Sequence, residues 1–306
     1  MRIVATAIAI LSISFITAQD EASKIMQEID SKKESYAEIA HTIWSEAEMG
    51  YLEYKSSALL KETLENEGFS IKSGVAEIPT AFVAEYGSGS PVIAILAEYD
   101  ALPGLSQEAV AEKKSAGKAA GHACGHHLFG TASSAAAIAA KNWLDSSGNS
   151  GTVRLIGCPA EEGGGAKVYM VRAGLFDDVD VALHWHPSSQ NAASAGAALA
   201  NKSAKFRFHG ISAHAAGAPQ MGRSALDGVE AMNAMVNMMR EHIPEKARIH
   251  YVITSGGKAP NVVPDFAEVY YYARHNRRDV VIDIFDRIVK AAEGAALGTG
   301  TTVEYE

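Results

Sequence analysis

Gly121-His122-Ala123-Cys124-Gly125-His126-His127 places one thiol and three imidazoles within seven consecutive residues. Two later turns repeat this chemistry. They are Pro159-Ala160-Glu161-Glu162-Gly163-Gly164-Gly165 and Leu183-His184-Trp185-His186-Pro187. Thiolate, imidazole and carboxylate are the side chains that hold zinc-like cations. The second and third clusters each follow a short apolar run, residues 153–157 and 179–183, that reads as a strand. The first precedes residues 128–143, a stretch rich in Ala, Ser and Gly that reads as a helix able to pack close to a sheet. In α/β sheets, ligands bind beyond the carboxyl ends of strands, so the three clusters can meet at one rim.

The pattern holds further out. Residues 20–67 carry apolar positions at helical spacing, stopped by Gly68. Residues 81–86 and 92–97 read as strands, separated by Gly87-Ser88-Gly89-Ser90, and residues 166–172 as a helix ending at Gly174. This alternation predicts an α/β domain with a mainly parallel sheet. Near residue 197 the pattern changes. Strands at 202–208, 247–254, 267–274 and 301–306 are interleaved with helices at 224–241 and 279–296. That β-α-β-β-α-β order is the ferredoxin-like arrangement. The expected organisation is a signal peptide over 1–18, a catalytic part over 19–197 and a second domain over 198–306.

The chain has 306 residues, 47% hydrophobic and 21% charged, with a formal net charge of -9. The acidic balance and the lack of a long basic run argue against a nucleic-acid partner. Arg2, an uncharged apolar run over 3–17 and Ala18 before Gln19 read as a secretory signal, with an uncleaved anchor as the alternative. The expected location is therefore periplasmic or secreted, with no membrane span after signal removal. Export would permit a Cys124–Cys158 disulfide, but Cys124 amid histidines reads as a ligand and Cys158 as a small buried hydrophobe.

Cys124 and His126, two apart, can turn toward one cation, and Glu162 and His186 would complete a two-metal site. Glu161 can then face the open side as general base. Asp100 also follows a predicted strand closely. Each residue has a plainer reading. Glu161-Glu162 could be an acidic first helical turn, His186 a packed surface histidine, and His122, His127 and His184 supporting donors.

These motifs resemble the aminoacylase and carboxypeptidase G superfamily of metallopeptidases, in the amidohydrolase branch that uses a cysteine ligand. Ala97-Glu98-Tyr99-Asp100-Ala101-Leu102-Pro103 and Ala213-His214-Ala215-Ala216 extend the resemblance, as does Gly222-Arg223-Ser224-Ala225-Leu226-Asp227. The resemblance implies two divalent ions, zinc or manganese, held by Cys124, His126, Glu162 and His186. It implies Glu161 as base, with Asp100 and His122 behind the ligands. Residues 198–306 become a lid inserted in the catalytic domain, through which the chain pairs with a second copy or a paralogous subunit. From the lid, His214 would hold the oxyanion across the dimer, and Asn261 and Arg274 would bind substrate. The implied reaction is hydrolysis of an N-acyl amino acid amide, with p-aminobenzoyl-glutamate as the leading substrate. Dipeptides or N-acyl amino acids in general are the alternative. Two departures stand out. His127 replaces an expected Asp or Asn, and a later catalytic segment with a further ligand histidine does not occur before Glu306. The resulting expectation is an incomplete catalytic domain, inactive alone, or a silent fragment that dimerises through its lid.

Overall fold

A computed structural model describes residues 21–193 and 198–306. Segment 1–18, expected from the sequence to be a signal peptide, lies outside the described residues. Among these residues, no helix is long and apolar enough to cross a membrane. The chain divides into two compact units, Met1–Asn191 and Ala192–Glu306.

In the first unit, helices α1 (Lys33–Glu46) and α2 (Tyr54–Asn66) precede β1 (Ser70–Ser73), β2 (Phe82–Ser88) and β3 (Val92–Ala97). A short ribbon follows, β4 (Leu102–Pro103) with β5 (Ala120–Gly121). Then come α3 (His126–Ser147), β6 (Gly151–Gly157), α4 (Ala166–Arg172) and β7 (Val181–Leu183). The sheet order is β1-β2-β6-β3-β7. The continuous apolar run Val-Ile-Ala-Ile-Leu-Ala suits β3 to an interior position, and it pairs in parallel with both β6 and β7.

The sheet is mixed, however, because β2 runs antiparallel to β6 and to β1. The reason is local. Only Gly89, Ser90 and Pro91 separate β2 from β3. A parallel return needs a crossover of a dozen or more residues, so a link this short reverses the chain. Expectation of a mainly parallel sheet thus holds only for β6-β3-β7.

One face of this sheet packs Ile43, Leu60, Leu64, Phe82, Tyr99, Ile138 and Leu155. The other packs Ile78, Leu96, Ile156 and Met170. Helix α3 comes very close to the chain beyond β3. A Cβ at Gly130 would lie 2.8 Å from the Glu98 carbonyl oxygen. The small residues of α3 therefore seat its first turn, with His126 and His127, against the segment Glu98–Asp100.

The second unit comprises β8 (Ala200–His209), α5 (Ala225–Met239), β9 (Arg248–Ser255), β10 (Phe266–His275), α6 (Arg278–Thr299) and β11 (Thr302–Tyr305). Its sheet order is β11-β8-β10-β9, antiparallel throughout. This is the ferredoxin-like arrangement expected from the element order. Phe206, Phe208, Ile249, Val269 and Tyr271 pack against Val229, Met232, Ile284, Phe285 and Ile288 of the two helices. Alternate residues of β8, β9 and β10 point to the opposite, open face.

Candidate metal centre

The three sequence clusters of the first unit meet. Cys124 Sγ lies 3.2 Å from His186 Nε2. Ligand atoms of Cys124, His126 and His186 all lie within 4.8 Å of one another, and so do those of Glu98, His126 and Glu161. His126 is fully buried, and its Nδ1 lies 2.9 Å from Asp100 Oδ1. That contact leaves Nε2 as the ligand atom. The other Asp100 oxygen, Oδ2, accepts the Glu162 N–H at 2.8 Å. One buried carboxylate thus orients a ligand imidazole and anchors the Glu161-Glu162 turn.

That turn is held from a second side. Ala160 has φ 51, in the left-handed region that disfavours a side chain. Its N–H donates to Glu53 Oε1 at 2.8 Å, and Thr80 Oγ1 donates to Glu53 Oε2 at 2.9 Å. Glu53 is itself fully buried. Strained Ala160, the Glu53 carboxylate on its N–H and the Asp100 carboxylate on the Glu162 N–H together fix where Glu161 and Glu162 emerge after β6.

Glu98 was not singled out by its sequence context. It is 1% exposed, with Oε1 paired to Lys167 and 3.3 Å from His184 Nε2. Its Oε2 lies 3.2 Å from His126 Nε2. A usable signal existed: Glu98 and Asp100 are two apart in extended chain, so their side chains share one side.

The side chains fit a cation. His126 Nε2, Glu162 Oε1 and Glu98 Oε2 are buried without a hydrogen-bond partner among the described residues. Leaving each unsatisfied costs about 1–3 kcal/mol. Ligand bonds of about 2.0–2.3 Å in a tetrahedral site imply ligand–ligand edges of about 3.3–3.7 Å. The 3.2 Å separations of Cys124 from His186 and of His126 from Glu98 come close to that spacing. Electrostatics point the same way. The Cys124 thiol is pushed up to about 12 by burial, then by its hydrogen bond to Glu162 and the charges of Glu162, Glu161 and Glu98. Burial, then the Glu98 charge, raises the Glu161 carboxyl above its ordinary value. Burial opposes charge on His126, yet the hydrogen bond and charge of Asp100, with Glu98 behind, raise its pKa. Such a concentration of negative charge keeps the free thiol neutral and favours a bound cation, whose own charge would in turn favour the thiolate.

His122 faces elsewhere. Its Nε2 lies 3.1 Å from the Ile43 carbonyl oxygen, and its ring packs against His127 at 5.2 Å. It braces α1 against the ligand loop instead of supporting a ligand directly. Burial, then the neighbouring His127, lowers its pKa to about 4, from 6.5. Because the unfolded chain binds this proton more readily, the neutral ring's contribution is complete above pH 6.5. It is lost as pH falls toward 4. The stake is about 3 kcal/mol. Thermal unfolding between pH 7 and 4.5 is expected to show a shallower acid loss in His122→Gln than in wild type. Identical pH slopes would rule this out.

In the second unit, His214 is exposed, and its Nδ1 accepts N–H bonds from Ala216 (3.2 Å) and Gly217 (3.0 Å). The neutral ring therefore carries its proton on Nε2, free to donate outward. Asn261 lies beside it, since the Ala215 N–H donates to the Asn261 carbonyl and His214 bridges Val262. Arg274 is not with them. It stands near the far end of β10, eight residues from Phe266 and so about 26 Å along the strand.

A family model for the peptidase dimerisation domain matches residues 200–299. The chain is 51% identical over 279 residues to a component of the p-aminobenzoyl-glutamate hydrolase of Escherichia coli (strain K12), covering 90% of this chain and 58% of that protein. It thus spans less than two thirds of that relative's length. It is 30% identical to thermostable carboxypeptidase 2 of Saccharolobus solfataricus (strain ATCC 35092 / DSM 1617 / JCM 11322 / P2), covering 90% of this chain and 73% of that one. The fold is shared with the Bacillus subtilis YxeP protein, a dinuclear metal-binding peptidase from the M20 family. That match has a TM-score of 0.61 at 22% identity and covers 90% of this chain and 74% of the other. The chain belongs to the M20 family of metallopeptidases.

Proposed function

We propose that this protein hydrolyses the amide of an N-acyl amino acid, with p-aminobenzoyl-glutamate as its substrate. The observation that carries this reading is the convergence of Cys124, His126 and His186, with Glu162 hydrogen-bonded to Cys124, around unpartnered buried atoms. The 51% identity to a component of a p-aminobenzoyl-glutamate hydrolase supports the substrate.

Those four residues would hold two divalent ions, zinc or manganese, with Glu98 facing the same point. Ions bound there supply charge that lowers the pKa of a water and polarises a carbonyl. Glu161 takes the proton of the attacking water and passes it to the leaving amine. A carboxyl held above its ordinary value is suited to both directions of that transfer. Asp100 keeps the His126 tautomer that presents Nε2. Across the dimer, His214 Nε2–H of one copy would donate to the developing oxyanion with Asn261 beside it, and Arg274 of the other copy would receive the substrate carboxylate, since within one copy Arg274 stands at the far end of β10 from both.

We further propose that the lid pairs with a second copy or a paralogous subunit. The dimerisation-domain match supports this. The apolar run after Arg2 supports export to the periplasm or medium. A broader dipeptidase or N-acyl-amino-acid hydrolase is the second reading, favoured by the likeness to a carboxypeptidase.

A substrate panel tests these readings. Hydrolysis of p-aminobenzoyl-glutamate should exceed that of aliphatic N-acyl amino acids and of dipeptides. It should vanish on chelation, return with zinc or manganese, and fall in His214→Ala. A preferred dipeptide would transfer the assignment to the second reading, and hydrolysis that survives exhaustive chelation would defeat both.

A further inference from the structure

Arg274 of β10 lies in register between Asn201 of β8 and Arg248 of β9. All three are exposed, and the residues adjacent to the arginines, Ala273 and Ile249, are buried. The arginines therefore share the open face of the sheet. Toward the other end of the same face, Arg207 stands opposite Glu268 and pairs with it at 2.8 Å. That is the ordinary cross-strand arrangement. Arg274 and Arg248 are the reverse, like charges directly opposite, which destabilises a sheet. Neither forms an ion pair with a carboxylate among the described residues. Both are nevertheless held. The Arg274 guanidinium lies over the Tyr272 ring, 5.2 Å from its centroid. The Nη1 of Arg248 donates to the carbonyls of Glu245 (2.9 Å) and Ala247 (2.8 Å). Its Nε and Nη2 edge, which can grip a carboxylate with two parallel bonds, has no partner among the described residues.

We propose that Arg274, Arg248 and Asn201 form a row that binds a dicarboxylic amino acid, with Arg274 on the α-carboxylate and Arg248 on the side-chain carboxylate. The proposal rests on the reading of Arg274 as a substrate-binding residue. The dimensions agree. Neighbouring strands lie about 4.8 Å apart. The two carboxylate carbons of an extended glutamate are separated by four carbon–carbon bonds, about 5 Å end to end. Two anionic groups at that spacing remove the repulsion between the arginines. Because each guanidinium is already restrained, less side-chain freedom is lost on binding. An amino acid with one carboxylate would leave Arg248 unanswered, so Arg248 sets selectivity and Arg274 sets general affinity.

The test is equilibrium binding to the full chain carrying Glu161→Gln, which prevents turnover. The probes are p-aminobenzoyl-glutamate, p-aminobenzoyl-alanine and glutarate. Arg248→Gln should weaken p-aminobenzoyl-glutamate and glutarate ten- to a hundredfold, about the worth of one charge-assisted bidentate contact. It should leave p-aminobenzoyl-alanine within twofold. Arg248→Lys should retain the charge without the fork and fall between. Arg274→Gln should weaken all three probes. Both positions are exposed, and circular dichroism of each variant checks folding. Equal weakening of the two p-aminobenzoyl probes by Arg248→Gln, or of neither, overturns the row. If Arg274→Gln changes no probe, the substrate-binding reading of Arg274 fails and the row fails with it. If glutarate binds through Arg248 while neither p-aminobenzoyl compound binds, the row stands and the proposed substrate falls. Binding of no probe overturns both.

Discussion

Glu161→Gln is expected to keep its full complement of metal and to lose turnover by about a hundredfold or more, the usual worth of a proton-transfer group. The adjacent Glu162→Gln is expected to lose metal as well as turnover. Two neighbouring carboxylates can differ this much because their surroundings differ. Glu162 has a buried oxygen, Oε1, without a partner among the described residues, and its backbone is tied to Asp100. The Glu161 side chain is 42% exposed, and its Oε2 stands 3.9 Å from His126 Nε2, beyond hydrogen-bond reach. It borders the cluster while facing the open side, which suits a group that must meet water and release a proton. The amide variant is nearly isosteric and removes only the basic oxygen. Metal analysis alongside single-turnover kinetics on p-aminobenzoyl-glutamate separates the two roles. If Glu161→Gln sheds metal while Glu162→Gln retains it, the two assignments must be exchanged.

The residues that carry this chemistry were legible because ligand chemistry is local. Cys124 and His126 share one loop, Glu161 and Glu162 one turn, and each sits beside an element whose apolar run is easily read. The strand predicted over 92–97 and the helix over 166–172 coincide with β3 and α4. What escaped depends on partners distant in sequence. Glu98 reads as the polar end of an apolar strand until Lys167, His184 and His126 surround it. Glu53 shows no signal of its own, since its role depends on Ala160 adopting a left-handed backbone more than a hundred residues later. The direction of β2 could have been inferred from its three-residue link to β3, but alternation of strand and helix suggested a parallel neighbour. His122 shows the converse error. Membership of a histidine-rich motif suggested a part in holding ligands, and its hydrogen bond goes instead to Ile43. Side-chain type indicated which chemistry was present, while packing decided which atoms take part.

Removing ligands should produce a graded loss of metal that follows the contacts around His126. In Cys124→Ala and His186→Ala, one arm of the 3.2 Å Cys–His pair is gone. Nothing else in that group replaces it, because His126 is already committed through Nδ1 to Asp100. Changes to the partners behind a ligand cost about 10–100-fold in metal affinity, so loss of a ligand itself should cost at least the upper end of that range. Asp100→Asn should fall within the range, since it keeps the shape of the carboxylate but weakens its hold on the His126 tautomer. Glu98→Gln removes a negative charge that faces His126 Nε2 and should also lower affinity. Lys167→Met is the control, because it breaks the Glu98 ion pair without touching an atom of the cluster. Competition with a chelator, read by elemental analysis after desalting, orders the five variants. Bound metal that is undiminished in both Cys124→Ala and His186→Ala would remove these residues from the centre. A loss in Lys167→Met equal to that in Glu98→Gln would reduce Glu98 to a structural partner of the lysine. The expected order puts the two ligand variants lowest, Asp100→Asn and Glu98→Gln between, and Lys167→Met nearest wild type. That order follows from what each side chain does, a ligand first, then a neighbour of His126, then a partner of Glu98, and not from charge alone, since Lys167→Met and Glu98→Gln alter the same ion pair from opposite ends.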